Sequence, residues 1–276
     1  MNDKWMRFQR YNKGTFSIVS LLVFIAQLSS FSLNAKPITL CTSPSWIPHV
    51  WEHQTGANGV VYHVFTQFLE HESLQYDFVP MDSWARCLKQ TKEGKVNIVL
   101  GAYKTPYRAQ WGYLSMPVAY DETKAFYTNK KLKISTLNDL INLTGASRKD
   151  SSYGEPIDSF YRQQEKVGFV IPTFSDEAIL QLLDKGRIDY FAGVDGNTNA
   201  LLAKLKQEKK IKNITQIYSS VSFSRNGLYV IASKKWSDGE ALINKFNQYF
   251  LKHYDTKKIE QLEAKKMQQY LSSIEQ

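Results

Sequence analysis

Apolar positions along this chain follow two rhythms, and their alternation sets out an α/β order. Ile38 to Cys41 is a compact apolar run of strand length, and the Pro44, Pro48 and Gly56 region after it reads as loop. Val60, Val61, Val64, Phe65, Phe68 and Leu69 then recur at three-to-four spacing, which predicts a helix. Leu74 to Val79 alternates as a strand. Trp84 and Leu88, with polar residues between them, predict a second helix stopped at Gly94, and Val96 to Leu100 is an apolar strand that opens into Gly101. Strands separated by helices build a parallel sheet with helical crossovers, and such sheets place ligands at the carboxyl ends of their strands. That rule singles out the loops Ser43 to Pro48, Met81 to Trp84 and Gly101 to Arg108.

A second α/β unit follows. Ala125 to Thr128 reads as a strand, Thr136 to Leu140 as the start of a short helix, and Ser151 to Gly154 as the entry to a helical stretch through Phe160. Ser175 to Lys185 predicts a helix closed by Gly186, followed by the strand Ile188 to Ala192. Leu228 to Ala232 is a late apolar strand, and Ala241 to Phe250 and Ile259 to Ile274 carry helical spacing. The sequence contains no internal repeat and no low-complexity segment.

Ahead of this pattern, Lys4, Arg7, Arg10 and Lys13 precede an apolar run from Phe16 to Leu28, and Leu33-Asn34-Ala35 follows. That order predicts a secretory signal peptide over residues 1–35, because the run is shorter than the roughly 20 residues of a spanning helix and ends in small and polar residues. No cysteine stands at the expected cleavage point, so export to the periplasm without a lipid anchor is the expectation. Without those four basic residues and the one acid, Asp3, the formal charge falls from +9 to +6. The remaining basic residues interleave with acids, so no nucleic-acid partner is expected. About 240 residues remain, enough for one large or two medium domains with real cores. Cys41 and Cys87 could pair in an oxidising compartment or stand as two buried thiols, and both alternatives remain open at this level.

Several motifs in this order resemble the extracellular solute-binding proteins of family 3, the polar amino-acid type. The markers are Ser45-Trp46-Ile47-Pro48 after the first strand, Gly59 before the first helix and Trp84-Ala85-Arg86 opening the second. The most specific is Gly101-Ala102-Tyr103-Lys104-Thr105-Pro106-Tyr107-Arg108, followed by Ser115-Met116-Pro117-Val118-Ala119-Tyr120. Leu137-Asn138-Asp139-Leu140, Ser151-Ser152-Tyr153-Gly154, Gly186-Arg187-Ile188-Asp189 and Lys245-Phe246-Asn247 continue it. The resemblance implies a type II periplasmic binding protein fold: two lobes, each a mainly parallel sheet flanked by helices, joined by two hinge crossovers near Ala125 to Tyr127 and Leu228 to Val230. One lobe would comprise residues 36–126 and 229–276 and the other residues 127–228. It also implies a monomer that closes on a small-molecule ligand, with an ABC permease or a membrane receptor as partner.

A free amino acid needs a fork of donors, an anion and a selective wall. By the resemblance, Arg108 supplies the fork for a carboxylate, Thr105 adds its backbone or hydroxyl, and Gly101 lines the cleft. Tyr103 stands where relatives carry small hydroxyl residues and would narrow the pocket or stack on the ligand. Ser151 and Ser152 are expected at a helix start, where backbone N–H groups favour an anion or the hydroxyls cap the helix. Asp150 replaces a common glycine, and its charge would oppose a carboxylate. Asp195 is the available acid for a ligand ammonium, one residue beyond the family spacing, whereas Asp189 is expected to fix structure. Trp46 and Trp84, in cleft loops, would wall a bulky, aromatic or cationic ligand group.

Nothing in the sequence calls for a cofactor. It shows no nucleophile elbow, phosphate loop or Cys/His array. His49 and His53 lie four apart, but Pro48 and Gly56 bracket them as loop, and two surface histidines are the expectation rather than a metal site. An enzyme of the cyclohexadienyl dehydratase type and a sensory binding protein remain the competing classes.

Overall fold

The computed structural model describes residues 36–53 and 56–274. The expected signal peptide lies outside the described residues. Strand β1 (Ile38–Thr42) is flanked in parallel by β5 (Tyr76–Phe78) and β6 (Ile98–Tyr103). Helix α1 (Val60–His71) and helix α2 (Trp84–Lys92) make the crossovers. The three-to-four apolar stripe of α1 is fully buried, and Phe65 and Phe68 pack with Phe246 of α7 (Gly239–His253). Burying each such ring contributes about 2–3 kcal/mol.

Two long antiparallel strands join this lobe to the next. Strand β8 (Ala119–Tyr127) and strand β13 (Ser224–Ser233) pair with each other over Ala119–Thr123 and Ser224–Leu228. Beyond that shared stretch they part: β13 continues against β6 in the first lobe, while Lys124–Tyr127 of β8 pairs with β11 (Tyr190–Gly193) in the second. Parallel strands β9 (Gly145–Arg148) and β10 (Val170–Thr173) complete the second sheet beside β11. Helices α4 (Ile157–Lys166), α5 (Asp176–Asp184) and α6 (Asp195–Gln207) belong to this lobe. Each sheet is thus mainly parallel with one antiparallel crossing strand, which is the two-lobe architecture that the resemblance implies.

The structure corrects the sequence reading in three places. The Pro44 to Gly56 region is a small antiparallel sheet, not loop, formed by β2 (Ser45–Trp46), β3 (Val50–His53) and β4 (Gly56–Asn58). Its strands are too short and too mixed in polarity to show a period. Helix α6 has no counterpart in the sequence reading, because its opening Asp-Gly-Asn-Thr-Asn consists of poor helix formers. It exists by packing, with Leu201 and Leu205 buried against α5. Helix α4 starts at Ile157, so Ser151 and Ser152 belong to the preceding loop and do not cap it.

Two further ties hold the molecule together. Cys41 on β1 and Cys87 on α2 form a disulfide with their Cα atoms 5.8 Å apart. The C-terminal helix α8 (Thr256–Ile274) lies against α1 of the first lobe and α6 of the second, and Tyr270 meets Trp51 edge to face at 5.5 Å. No helix among the described residues is long and apolar enough to cross a membrane.

Candidate functional site

The site is built where strands end. Strand β6 delivers Gly101 and Tyr103, and the turn after it starts helix α3 (Pro106–Trp111) with Thr105 as N-cap and Pro106 in the first turn. That sequence suits a helix start, since a threonine hydroxyl accepts from a free N–H and proline lacks the donor that would go unused. The Thr105 hydroxyl accepts from the Arg108 backbone N–H at 3.1 Å. Thr105 therefore acts by setting the helix that carries Arg108, and it does not line the cavity. Trp84 opens α2, whose N-cap Ser83 accepts from Arg86 N–H.

Seven of the residues singled out from sequence meet around one cavity between the lobes: Trp46, Trp84, Gly101, Tyr103, Arg108, Ser151 and Ser152. Ser43 and Arg148 complete its walls. The lobes are close enough that Arg148 Nη1 of the second reaches Ser43 Oγ of the first at 3.4 Å.

Arg108 is almost fully buried. Its Nη1 donates to the Tyr103 carbonyl at 2.7 Å, and its guanidinium lies over the Trp84 ring, 5.6 Å from the centroid. Among the described residues no carboxylate lies within 4.0 Å of it. Burial lowers its pKa to about 10 against the pull of the Asp158 charge, and it stays charged at neutral pH. Gly101 has φ +75, and a Cβ there would come within 2.9 Å of Val50, so glycine keeps this wall thin.

Arg148 is the charged cavity-lining residue that sequence reasoning missed. It ends β9, at a strand's carboxyl end like Tyr103. Gly145-Ala146-Ser147 is too weakly apolar to announce a strand, so that signal was hidden. Arg148 donates to Asp176 at 3.0 Å and through Nε to the Ser151 hydroxyl at 2.7 Å, and it covers Trp46 at 5.4 Å. Ser152 donates to Asp158 at 2.5 Å. Asp150 is exposed with φ 60, the left-handed region that favours glycine, and stays off the cavity wall.

Behind the wall, Asp121 on β8 accepts from Trp46 Nε1 at 2.7 Å and from the Tyr103 hydroxyl at 3.0 Å. Its other oxygen meets His49, so His49 is not a surface residue as the loop reading expected; β8 and α8 cover it. Burial, then the Asp121 charge, pushes the Tyr103 hydroxyl well up, so it stays a donor. Asp195 does not join the cluster. It opens α6 at some distance around the crossover and pairs with Lys124 at 2.5 Å. Asp189 holds the Thr144 backbone N–H at 2.8 Å, away from the cavity.

No protein-family model matches the sequence, and no curated protein matches it. Solved structures do. A histidine kinase sensor domain with similarity to periplasmic binding proteins superposes with a TM-score of 0.69 at 16% identity, covering 83% of this chain and 95% of its own. The amino acid ABC transporter substrate-binding protein AbpA of Streptococcus pneumoniae, bound to L-arginine, gives 0.67 at 13% identity over 85% and 96%. An ancestral amino-acid-binding protein, a precursor of cyclohexadienyl dehydratase, gives 0.65 at 15% identity over 90% and 99%. At these identities the likeness speaks for the fold, and this chain has the two-lobe, type II periplasmic binding protein fold.

Proposed function

We propose that this protein is a solute-binding protein that captures a small carboxylate ligand, of amino-acid size, by closing its lobes. The observation that carries the reading is Arg108: a buried, charged guanidinium facing the inter-lobe cavity with no protein carboxylate within 4.0 Å among the described residues. A planar fork of donors matches a carboxylate bidentately. Residues 36–126 with 229–276 form one moving body and residues 127–228 the other. Closure follows because the ligand's contacts with both lobes exist only in the closed state. Export through residues 1–35 puts the monomer in the periplasm, where its closed face presents the ligand to an ABC importer. The kinase sensor among its structural neighbours supports a membrane receptor as the alternative partner.

Binding is favoured over catalysis because the buried His49–Asp121 pair stands behind Trp46 and Tyr103 and does not line the cavity. Thermal-shift screening of the purified protein against amino acids and small organic acids tests the reading. A binder stabilises it by about 2.7 kcal/mol at a hundredfold excess over Kd, and Arg108→Met abolishes the shift. A panel without a hit, or an unchanged shift in Arg108→Met, sinks it.

A further inference from the structure

The cavity is lined by two guanidiniums and, among the described residues, by no carboxylate. Three acids stand behind its walls, and each is already committed. Asp121 accepts from Trp46 and Tyr103 on one oxygen and meets His49 on the other. Asp158 accepts from the Ser152 hydroxyl at 2.5 Å and the Tyr153 backbone N–H at 2.7 Å. Asp176 holds Arg148 at 3.0 Å and Asn197 at 3.3 Å. Asp195, the acid that the sequence offers for an ammonium, is turned to Lys124.

We infer that the ligand is a small organic acid whose carboxylate carries no ammonium beside it: a 2-oxo, 2-hydroxy or unsubstituted acid rather than an α-amino acid. The inference rests on the carboxylate reading of Arg108 and narrows it by the acceptors that the cavity wall offers. Asp176 pairs directly with Arg148, whereas Asp158 acts on Arg108 only from beyond 4.0 Å and spends its hydrogen bonds on Ser152 and Tyr153, so Arg108 is the guanidinium left for a ligand carboxylate. An α-ammonium would add a positive charge near two guanidiniums with, among the described residues, no carboxylate on the cavity wall to receive it, which is costly in a dry site. Aromatic faces could receive a cation, yet one face each of Trp46 and Trp84 is already covered by Arg148 and Arg108. The Ser43 and Ser151 hydroxyls suit a neutral oxygen substituent instead.

The test is calorimetric titration of the purified protein with matched pairs: 3-phenylpropanoate and L-phenylalanine, glutarate and L-glutamate, 5-guanidinopentanoate and L-arginine, with phenethylamine as the amine lacking a carboxylate. In at least one pair the acid binds more than tenfold tighter than its amino acid, and phenethylamine does not bind. An amino acid that binds tighter than its partner acid overturns the inference and leaves carboxylate capture intact. Binding of phenethylamine as tight as that of 3-phenylpropanoate, or binding in none of the pairs, overturns both.

Discussion

His49 Nε2 lies 2.7 Å from Asp121 Oδ1, with both side chains buried at the root of the crossover strand β8. A carboxylate can only accept, so the imidazole donates. Through its second oxygen Asp121 also holds Trp46 and Tyr103, and the pair therefore ties two cavity walls to the strand that joins the lobes.

This pair makes stability fall as pH rises. Burial by itself would lower the His49 pKa, but the Asp121 charge and hydrogen bond, with Glu263, outweigh it and raise the value above 6.5. The folded state holds the proton more tightly than the unfolded chain, so its contribution is complete below pH 6.5 and is lost as pH rises through the folded value. Burial also raises Glu263, which acts in the same direction. Unfolding measured from pH 6 to about pH 9 should show a declining Tm that is flatter in His49→Gln. Equal slopes in the two proteins would remove His49 from this role.

The disulfide should carry a large share of the stability. Cys41 and Cys87 are 46 positions apart, and closing a loop of that length restricts the unfolded chain by about 4 kcal/mol. The double variant Cys41→Ser with Cys87→Ser is expected to lose on the order of 2–5 kcal/mol in urea unfolding. A loss below about 1 kcal/mol would mean that the unfolded chain is already compact around this loop.

Gly59 should not tolerate a side chain. It precedes α1 with φ +114 and ψ 173, and a Cβ there would stand 2.4 Å from the His49 carbonyl oxygen, which cannot swing aside as a side chain could. Gly59→Ala is expected to cost more than about 2 kcal/mol. Gly186→Ala, also at positive φ but with open space around its Cβ, should cost about 1 kcal/mol. Chemical denaturation of the two variants side by side separates contact from conformational strain.

Asp195→Asn should leave ligand affinity within about twofold, because the carboxylate is half exposed and paired with Lys124 away from the cavity. The stability cost should stay under about 1 kcal/mol for the same reason. A tenfold loss of affinity in titration would bring Asp195 back to the ligand.

Arg108 and Arg148 mark how far the site could be read from the sequence. Arg108 follows a strand with an unmistakable apolar run, so the strand-end rule finds it, together with Gly101 and Tyr103. Arg148 obeys the same rule, but its strand becomes one only by pairing with β10 and β11, whose residues lie at least 22 positions away. Likewise, His49 reads as surface until Asp121 and Glu263, 72 and 214 positions on, close over it.

The sequence by itself determined the α/β order and the packed face of α1, because apolar period acts over a few residues. The tertiary structure alone decided which charges meet. It gave Arg148 to Asp176, Asp195 to Lys124 and Asp121 to His49, and left Arg108, among the described residues, without a carboxylate within 4.0 Å. Ion pairing depends on distance in space and on local dielectric, and a pattern along the chain carries neither.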